Sequence, residues 1–540
     1  MRSGEDRDAS PEGGCRPRTS ESILGGMHRA AESDGPRAEE RLYEAAVAQA
    51  RRVAVLGSVE SLLGWDEQTM LPPAGGGHRA DQAAELAAVV HRERTAPEQG
   101  DRLRELAAGT LGSRGSPEQR STIRLLLEEF EKQARTPARL IEELARVAVE
   151  AQQAWVRARR ESSWPVLAPW LERMIALKRE QAACRSPGLD AYDALLDDYE
   201  PGCRWPALAA LFAELRAEIV PLVRACGESA TRPDDRFLVA GRFPVDAQKR
   251  FVAEVAAAIG FDFSRGRLDT TAHPFCTSLG PDDCRITTRW SEHALPTALF
   301  GVLHEAGHGL YEQGLRREWY GLPPGEAASL GIHESQSRLW ENLVGRSLGF
   351  WRWCMPLARR AFPDALAEVT PEAMVRGLAV VRPSLIRVEA DEVTYNLHVM
   401  LRFDLERAWV HGDLAVGDLP AAWNDRFACD FGIRPSDDAE GVLQDIHWSA
   451  GLVGYFPTYA LGNVYASQLM AAARRASTDL DAEMAAGRFG PLLDWLRREI
   501  HTAGRMLSPG QLVERATGGP VSAASLVASL RERYGPAHGL

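Results

Sequence analysis

From residue 39 onward the chain repeats one pattern, with apolar positions at steps of three and four separated by Arg, Glu and Gln. The stretch "EERLYEAAVAQARRVAVLGSVESLLGW" (39–65) is typical. That spacing marks a helix with one buried face, and Ala, Leu, Glu and Arg are good helix formers. The same pattern predicts helices over 80–109, 117–133, 136–160, 166–184, 206–226 and 245–259, punctuated by Pro and Gly. It fails over 262–290, "DFSRGRLDTTAHPFCTSLGPDDCRITTRW", where Thr, Phe, Cys, Ile and Arg alternate around the turn-forming "LGPDD". Two short strands in a hairpin are predicted there. Helices resume over 294–315, 333–349, 355–367, 371–380, 391–410, 419–430, 437–446 and 459–474, and amphipathic segments at 478–504 and 509–534 close the chain. There is no internal repeat. The predicted class is mostly α with one small β-sheet.

Composition changes this picture at one end only. Residues 1–38 are rich in Gly, Ser, Pro, Arg and acids, which predicts a disordered N-terminal extension, with Met27 a second candidate start. A single folded unit is expected over 39–540. At 45% hydrophobic and 26% charged, the 540-residue chain reads as an ordinary soluble globular protein. The net charge of -12, with acids interleaved among arginines, excludes the one-signed basic stripe a nucleic-acid partner needs. Eight scattered cysteines without C-x-x-C spacing indicate neither a disulfide scaffold nor a zinc ribbon. Cys276 and Cys284 are close enough to pair across the hairpin, but reduced thiols are expected. No apolar run approaches the roughly 20 residues of a membrane span, and the N-terminus carries no apolar signal segment. A cytoplasmic protein is expected.

The chemistry concentrates in "ALFGVLHEAGHGLYEQG" (298–314), which holds His304-Glu305-Ala306-Gly307-His308. On a helix, residues four apart share a face, so His304 and His308 can each offer a nitrogen to one ion, with Glu305 beside it. The apolar flanks would bury these polar groups, which favours a metal to pair them. Gly307 and Gly309 each cost about 1 kcal/mol of helix propensity, as where something approaches the backbone closely. A catalytic zinc takes three protein ligands and keeps one position open. Glu312, a full turn beyond His308, is a poor third ligand at a rise of about 1.5 Å per residue. Glu334 of "GIHESQSRLWENLVG" is the better one, on a second helix running back after "LPPGEAASLG"; an acid there also suits a helix N-terminus through the dipole. Glu341, on the same side, could orient a histidine from behind.

With these residues in view, the chain resembles the thermostable carboxypeptidase family of zinc metallocarboxypeptidases, typified by carboxypeptidase Taq. The motifs stand in the family's order: "HPF" (273–275), "DCRIT" (283–287), "HEAGH" (304–308), "HESQ" (333–336), "IRVEAD" (386–391) and "GVLQDIHW" (441–448). "WDEQTMLPPAGGGHRADQ" (65–82) and "YDALLDDYEPG" (192–202) resemble its N-terminal half, so the likeness spans roughly 40 to 535. It implies one catalytic domain over 39–540: a two-lobed helical body with a deep central groove, similar to the neurolysin and angiotensin-converting-enzyme type. It further implies a homodimer that hydrolyses the C-terminal peptide bond of peptides with broad side-chain specificity, C-terminal Pro being disfavoured. One Zn²⁺ per subunit, replaceable by Co²⁺, would be held by His304, His308 and Glu334.

In that reading zinc activates a water and Glu305 is the general base. The resemblance assigns oxyanion stabilisation to His447 and to a tyrosine of "GYFPTYALG", for which Tyr455 and Tyr459 both qualify. A terminal carboxylate is best held by a guanidinium. Arg387, at the start of a 386–405 helix, is the family's candidate, and Arg285 is the runner-up. The strands over 271–290 would line the cleft and pair with the peptide main chain, with His273 and Asp283 either fixing the hairpin or purely structural. Two rivals stand beside this reading. One is an endo-acting zinc oligopeptidase of the same fold, which needs no carboxylate clamp. The other is a non-catalytic helical scaffold, which the intact His304, Glu305, His308 and Glu334 disfavour.

Overall fold

The computed structural model describes residues 24–239 and 241–540. Most of the expected extension over 1–38 lies outside these residues, and helix α1 (Leu24–Thr69) already includes its last part. The helix expected over 80–109 is two, Gly76–Arg94 and Pro97–Ala108. Pro97 is the reason: it has no N–H to give and drives Ala96 out of the helical region, to φ -57, ψ 120. The second of these and the helix Pro117–Ala134 pack on α1 around a small core of Tyr43, Ala46, Leu103, Leu106, Ile123 and Phe130, and Gly76–Arg94 lies along α1 outside it.

The main core is a single cluster running from Ala154 to Ala537, and it contains the elements that build the site. The short helix α2 (Ala191–Leu196) is part of it, capped by Asp190, whose carboxylate accepts from the amides of Tyr192 and Asp193. The sheet has three strands, not the two predicted: β1 (Gly266–Thr270), β2 (Cys276–Gly280) and β3 (Asp283–Thr288). Their order is β1-β3-β2, with β1 parallel and β2 antiparallel to β3. β1 escapes pattern reading because "GRLDT" is an edge strand with one apolar residue. Cys276 and Cys284 are thiols, as expected, with sulfurs 3.6 Å apart.

Helix α3 (Leu295–Gly314) follows the sheet and is buried along most of its length. Helix α4 (Leu330–Arg338) starts earlier than predicted because Ser329 caps it, its hydroxyl accepting from the amide of Ile332 at 3.0 Å. It runs on as a π-helical turn, Leu339–Val344. Helices α5 (Glu392–His411) and α6 (Pro457–Ala476) lie close to the expected 391–410 and 459–474.

Three expectations fail in this half. Arg387 does not start a 386–405 helix but sits in a single 3-10 turn, Arg387–Glu389, ahead of α5. No helix forms over 437–446, where the chain makes successive turns. Side chains there capture the backbone: Asp437 accepts from the amide of Glu440, and Gln444 donates to the carbonyls of Leu385, Glu440 and Gly441. The closing segments break at glycines, giving Leu480–Ala485, Gly490–Glu499, Pro509–Thr517 and Ala524–Tyr534.

Two adjoining cavities of about 470 and 480 Å³ lie between α1 and the main body. They share Val53, Ala54, Arg94, Gly321 and Glu326, and the second reaches Ser278 on β2 and Glu312 on α3. Glu312, which lines the second cavity, contacts His333. Among the described residues, no helix is long and apolar enough to cross a membrane.

Candidate metal centre and cleft

His304 and His308 stand one turn apart on α3, and Glu334 meets them from α4. His304 Nε2 is 3.6 Å and His308 Nε2 is 3.4 Å from Glu334 Oε2, and all three donor atoms lie within 4.8 Å of one another. Donors about 2.1 Å from one tetrahedral zinc lie roughly 3.4 Å apart, so spacing and donor set both fit such an ion. The far side of each ring is also engaged. His304 Nδ1 is 2.8 Å from Glu341 Oε2, the contact expected of Glu341. His308 Nδ1 is 2.5 Å from His333 Nδ1, and His333 Nε2 is 2.8 Å from Glu312 Oε1. Glu312 is thus turned toward His333 rather than toward the cluster.

The glycines in the motif are explained by contact. A Cβ on Gly307 would lie 2.6 Å from the Gln336 carbonyl oxygen and Ser337 Cα, and one on Gly309 would lie 2.6 Å from the Phe261 ring. Only bare backbone lets α4 come this near to α3. Gly462 does the same for α6, where a Cβ would lie 2.4 Å from Glu334 Cγ.

Charge is set by burial and by Arg338, which sequence reasoning did not single out although it stands four residues after Glu334. Its Nε is 2.7 Å from Glu334 Oε1 and its Nη1 is 3.2 Å from Glu341 Oε2. Burial alone would raise the Glu334 carboxyl; Arg338, then His304 and His308, outweigh it and hold it well below the usual range. For Glu305, burial dominates. Partly opposed by His304 and reinforced by Glu334, it pushes the carboxyl up to about 7. That is where a base can both accept and return a proton near neutrality. Burial, reinforced by His333, lowers His308 to about 4, leaving it a neutral donor.

Facing this cluster is a basic and aromatic wall. Arg387 is only 7% exposed, and its Nη2 is 2.8 Å from Asp445 Oδ1. Its Nη1 donates to Tyr395 Oη at 3.1 Å and its main-chain N–H to Gln444 Oε1 at 2.8 Å. Asp445 also accepts from Arg402 Nε at 2.7 Å, so one carboxylate carries two guanidinium groups. Asp445 and Arg402 are further residues the motif reading missed. His447 Nε2 is 3.4 Å from Tyr459 Oη, and the Tyr455 ring packs edge-on against Tyr459 at 5.3 Å. The wall joins the first cluster through Tyr395, whose ring lies 4.5 Å from the Arg338 guanidinium, and through α6, which carries both Tyr459 and Gly462. Sequence-predicted Arg387, His447, Tyr455 and Tyr459 are therefore brought together.

Arg285 and His273 are not part of this assembly. On β3, Cys284 and Ile286 are buried toward α3, the Cys284 sulfur lying 4.0 Å from the Gly309 carbonyl, so Arg285 faces the other way. Its guanidinium is paired with Asp283 at 2.8 Å and stacked 4.2 Å from the Trp65 ring. His273 is exposed between β1 and β2. Thr287 ties the hairpin together, its hydroxyl accepting from the Phe275 amide at 2.8 Å and donating to its carbonyl at 3.0 Å.

Residues 46–534 match the family model described as carboxypeptidase Taq (M32) metallopeptidase. Thermostable carboxypeptidase 1 of Thermus thermophilus is 44% identical over 509 residues, covering 93% of this chain and 99% of that protein. Carboxypeptidase 1 of Bacillus subtilis is 35% identical, covering 90% and 96%. The crystal structure of the M32 carboxypeptidase from Deinococcus radiodurans superposes with a TM-score of 0.89 at 40% identity, covering 93% of this chain and all of that one.

Proposed function

The chain belongs to the carboxypeptidase Taq (M32) family of metallopeptidases, and from that premise we propose that it removes residues from free C-terminal ends of peptides, with zinc held by His304, His308 and Glu334 and with Glu305 as general base. The observation that carries the proposal is the convergence of two Nε2 atoms on one carboxylate oxygen, at 3.6 and 3.4 Å, with the buried carboxyl of Glu305 next to the first of them in sequence. A zinc ion bound there supplies Lewis acidity toward water and toward the scissile carbonyl. Glu305 takes a proton from the attacking water and returns it to the leaving amine. His447 and one of the two tyrosines, Tyr455 or Tyr459, donate to the carbonyl oxygen as it becomes anionic. His447 acts as a neutral donor, because burial, reinforced by Arg387 and Arg402 against Asp445, lowers it to about 4.

Arg387 holds the substrate's terminal carboxylate. Asp445 occupies its Nε–Nη2 edge and Tyr395 takes one Nη1 proton, which leaves the second protons of Nη1 and Nη2 for the ligand. Edge strand β2 pairs with the peptide main chain. The same proposal includes broad side-chain tolerance with C-terminal Pro disfavoured, cobalt as a substitute metal, a homodimer and a cytoplasmic setting.

A time course of product masses from one mixed-sequence peptide, as free acid and as C-terminal amide, tests this reading. Stepwise loss of terminal residues from the acid alone is expected. Internal cleavage of both at comparable rates would favour the endo-acting oligopeptidase and overturn the clamp.

A further inference from the structure

Two fully buried carboxylates take no part in the chemistry above, yet each ties one wall of the cleft to the segment Tyr192–Glu200. Glu406, in α5, accepts from Trp448 Nε1 at 2.8 Å, from Tyr192 Oη at 3.0 Å and from the Gly454 amide at 3.0 Å. Trp448 and Gly454 bracket the turns that lead from His447 to Tyr455. Gly454 has φ +84°, and a Cβ on it would lie 3.0 Å from the Leu196 amide nitrogen, so these turns rest directly on α2. At the other end of the segment, Glu200 accepts from the Gly331 amide at 2.9 Å and from Tyr465 Oη at 2.9 Å. The neighbouring Tyr199 carbonyl accepts from the Leu330 amide at 3.1 Å. Leu330 and Gly331 are the first residues of α4, which carries Glu334.

We propose that Tyr192–Glu200 is a brace fixing the metal-ligand helix relative to the oxyanion-side turns, with Glu406 and Glu200 as positioning residues for the reaction; this rests on the carboxypeptidase reading. Three of the partners are N–H groups of fixed direction, those of Trp448, Gly454 and Gly331, and two are tyrosine hydroxyls, which can donate or accept. A carboxylate can accept from all of them. A glutamine has one acceptor oxygen, so at Glu406 its own N–H groups would face the N–H of Trp448 or of Gly454, and at Glu200 they would face Tyr465 Oη, whose proton then loses its acceptor. Burial, opposed by the donors, raises both carboxyls to about 7, so the accepting form prevails above neutrality. Glu406 contacts the oxyanion-side turns and not α4, whereas Glu200 contacts the first turn of α4 and, through Tyr465, α6, but not those turns, so their effects separate.

The test is done on the full chain at about pH 8, where both carboxyls are charged. It reads zinc affinity by chelator competition, kcat and KM on a free-acid peptide, and amide hydrogen exchange. Glu406→Gln should speed exchange within 446–456 and lower kcat by about 10- to 100-fold, with KM and zinc affinity nearly unchanged. Glu200→Gln should speed exchange within 330–336 and weaken zinc by about 10- to 100-fold, with kcat near wild type at saturating zinc. Tyr192→Phe and Tyr465→Phe keep the packing and remove one hydroxyl each, so each should follow its glutamate at about fivefold. They decide the matter on the same criteria where a glutamine variant does not fold. Parallel changes in both readouts for both positions, or no change in either, overturn the brace. A wild type that releases no terminal residues would sink the carboxypeptidase reading instead, while exchange and zinc affinity still test the brace.

Discussion

Helix α3 and the turns over 437–456 both supply residues to the candidate site, and they are held in opposite ways. α3 presents His304, Glu305 and His308 from one continuous helix, so the backbone repeat alone sets their spacing. The turns present His447 and Tyr455 with almost no regular structure. Side chains hold them: Gln444 on Leu385 and Arg387, Asp445 between two arginines, and Trp448 on Glu406. A group supplied by a helix repeat needs its side chain oriented, as Glu341 orients His304, but its backbone needs no further support. Groups approaching from the opposite wall share no repeat, and buried acceptors must fix each one.

If that contrast is right, substitutions on α3 should change chemistry without moving structure, and substitutions under the turns should act through the structure they loosen. The largest effect is expected for Glu305→Gln. Its turnover should fall by up to about 10⁴-fold while bound zinc, measured by metal analysis, stays at the wild-type level. Retained turnover would remove the general-base role. Next comes Asp445→Asn, which leaves two guanidinium groups without their shared partner and should cost about 3–5 kcal/mol in denaturant unfolding.

Asp445 also sets a pH signature. Burial opposes its ionisation, but Arg402 and Arg387 outweigh that and hold its carboxyl well below the usual range. As pH falls, the unfolded chain takes up this proton first. The stabilisation is therefore complete above about pH 4 and drains away below it. Wild-type stability should fall more steeply than that of Asp445→Asn in this acid window, and parallel slopes would contradict the assignment.

Smaller again is Glu341→Gln, which loosens one histidine on α3 from behind and should weaken zinc about 10- to 100-fold in chelator competition with the fold unchanged. At the bottom of the scale, Arg146→Ala removes an exposed residue paired loosely with Glu143 and Glu150. It should change stability by no more than about 0.5 kcal/mol, and a larger shift would mean that the exposed helix faces matter more than supposed.

The same contrast explains what could be read before the structure. The helix around "HEAGH" was legible because its apolar spacing and its i, i+4 histidines are both local properties of the chain. Glu334 and Glu341 were legible because they share one side of the following helix. The run at 437–446 misled because Ala439, Val442 and Leu443 suggest a helical face, while the polar groups that decide the matter act across long separations. Trp164, for example, donates its amide to Asp438. β1 was invisible for a related reason, since its pairing with β3 leaves no apolar alternation in "GRLDT". Arg387 was found through its motif, but its partner Asp445, from a remote segment, has no spacing signal at all. Arg338 is the one omission with a local clue, four residues from Glu334.

Gly307 does more than permit close packing. The gap it allows between α3 and α4 sets how far Glu334 stands from the two imidazoles, 3.4 and 3.6 Å between donor atoms. A methyl group there would need α4 to retreat by about 1 Å to restore ordinary contact. That retreat is about half the length of a bond to a zinc ion. One missing carbon, two residues from Glu305, thereby keeps three donors from two helices within reach of a single point.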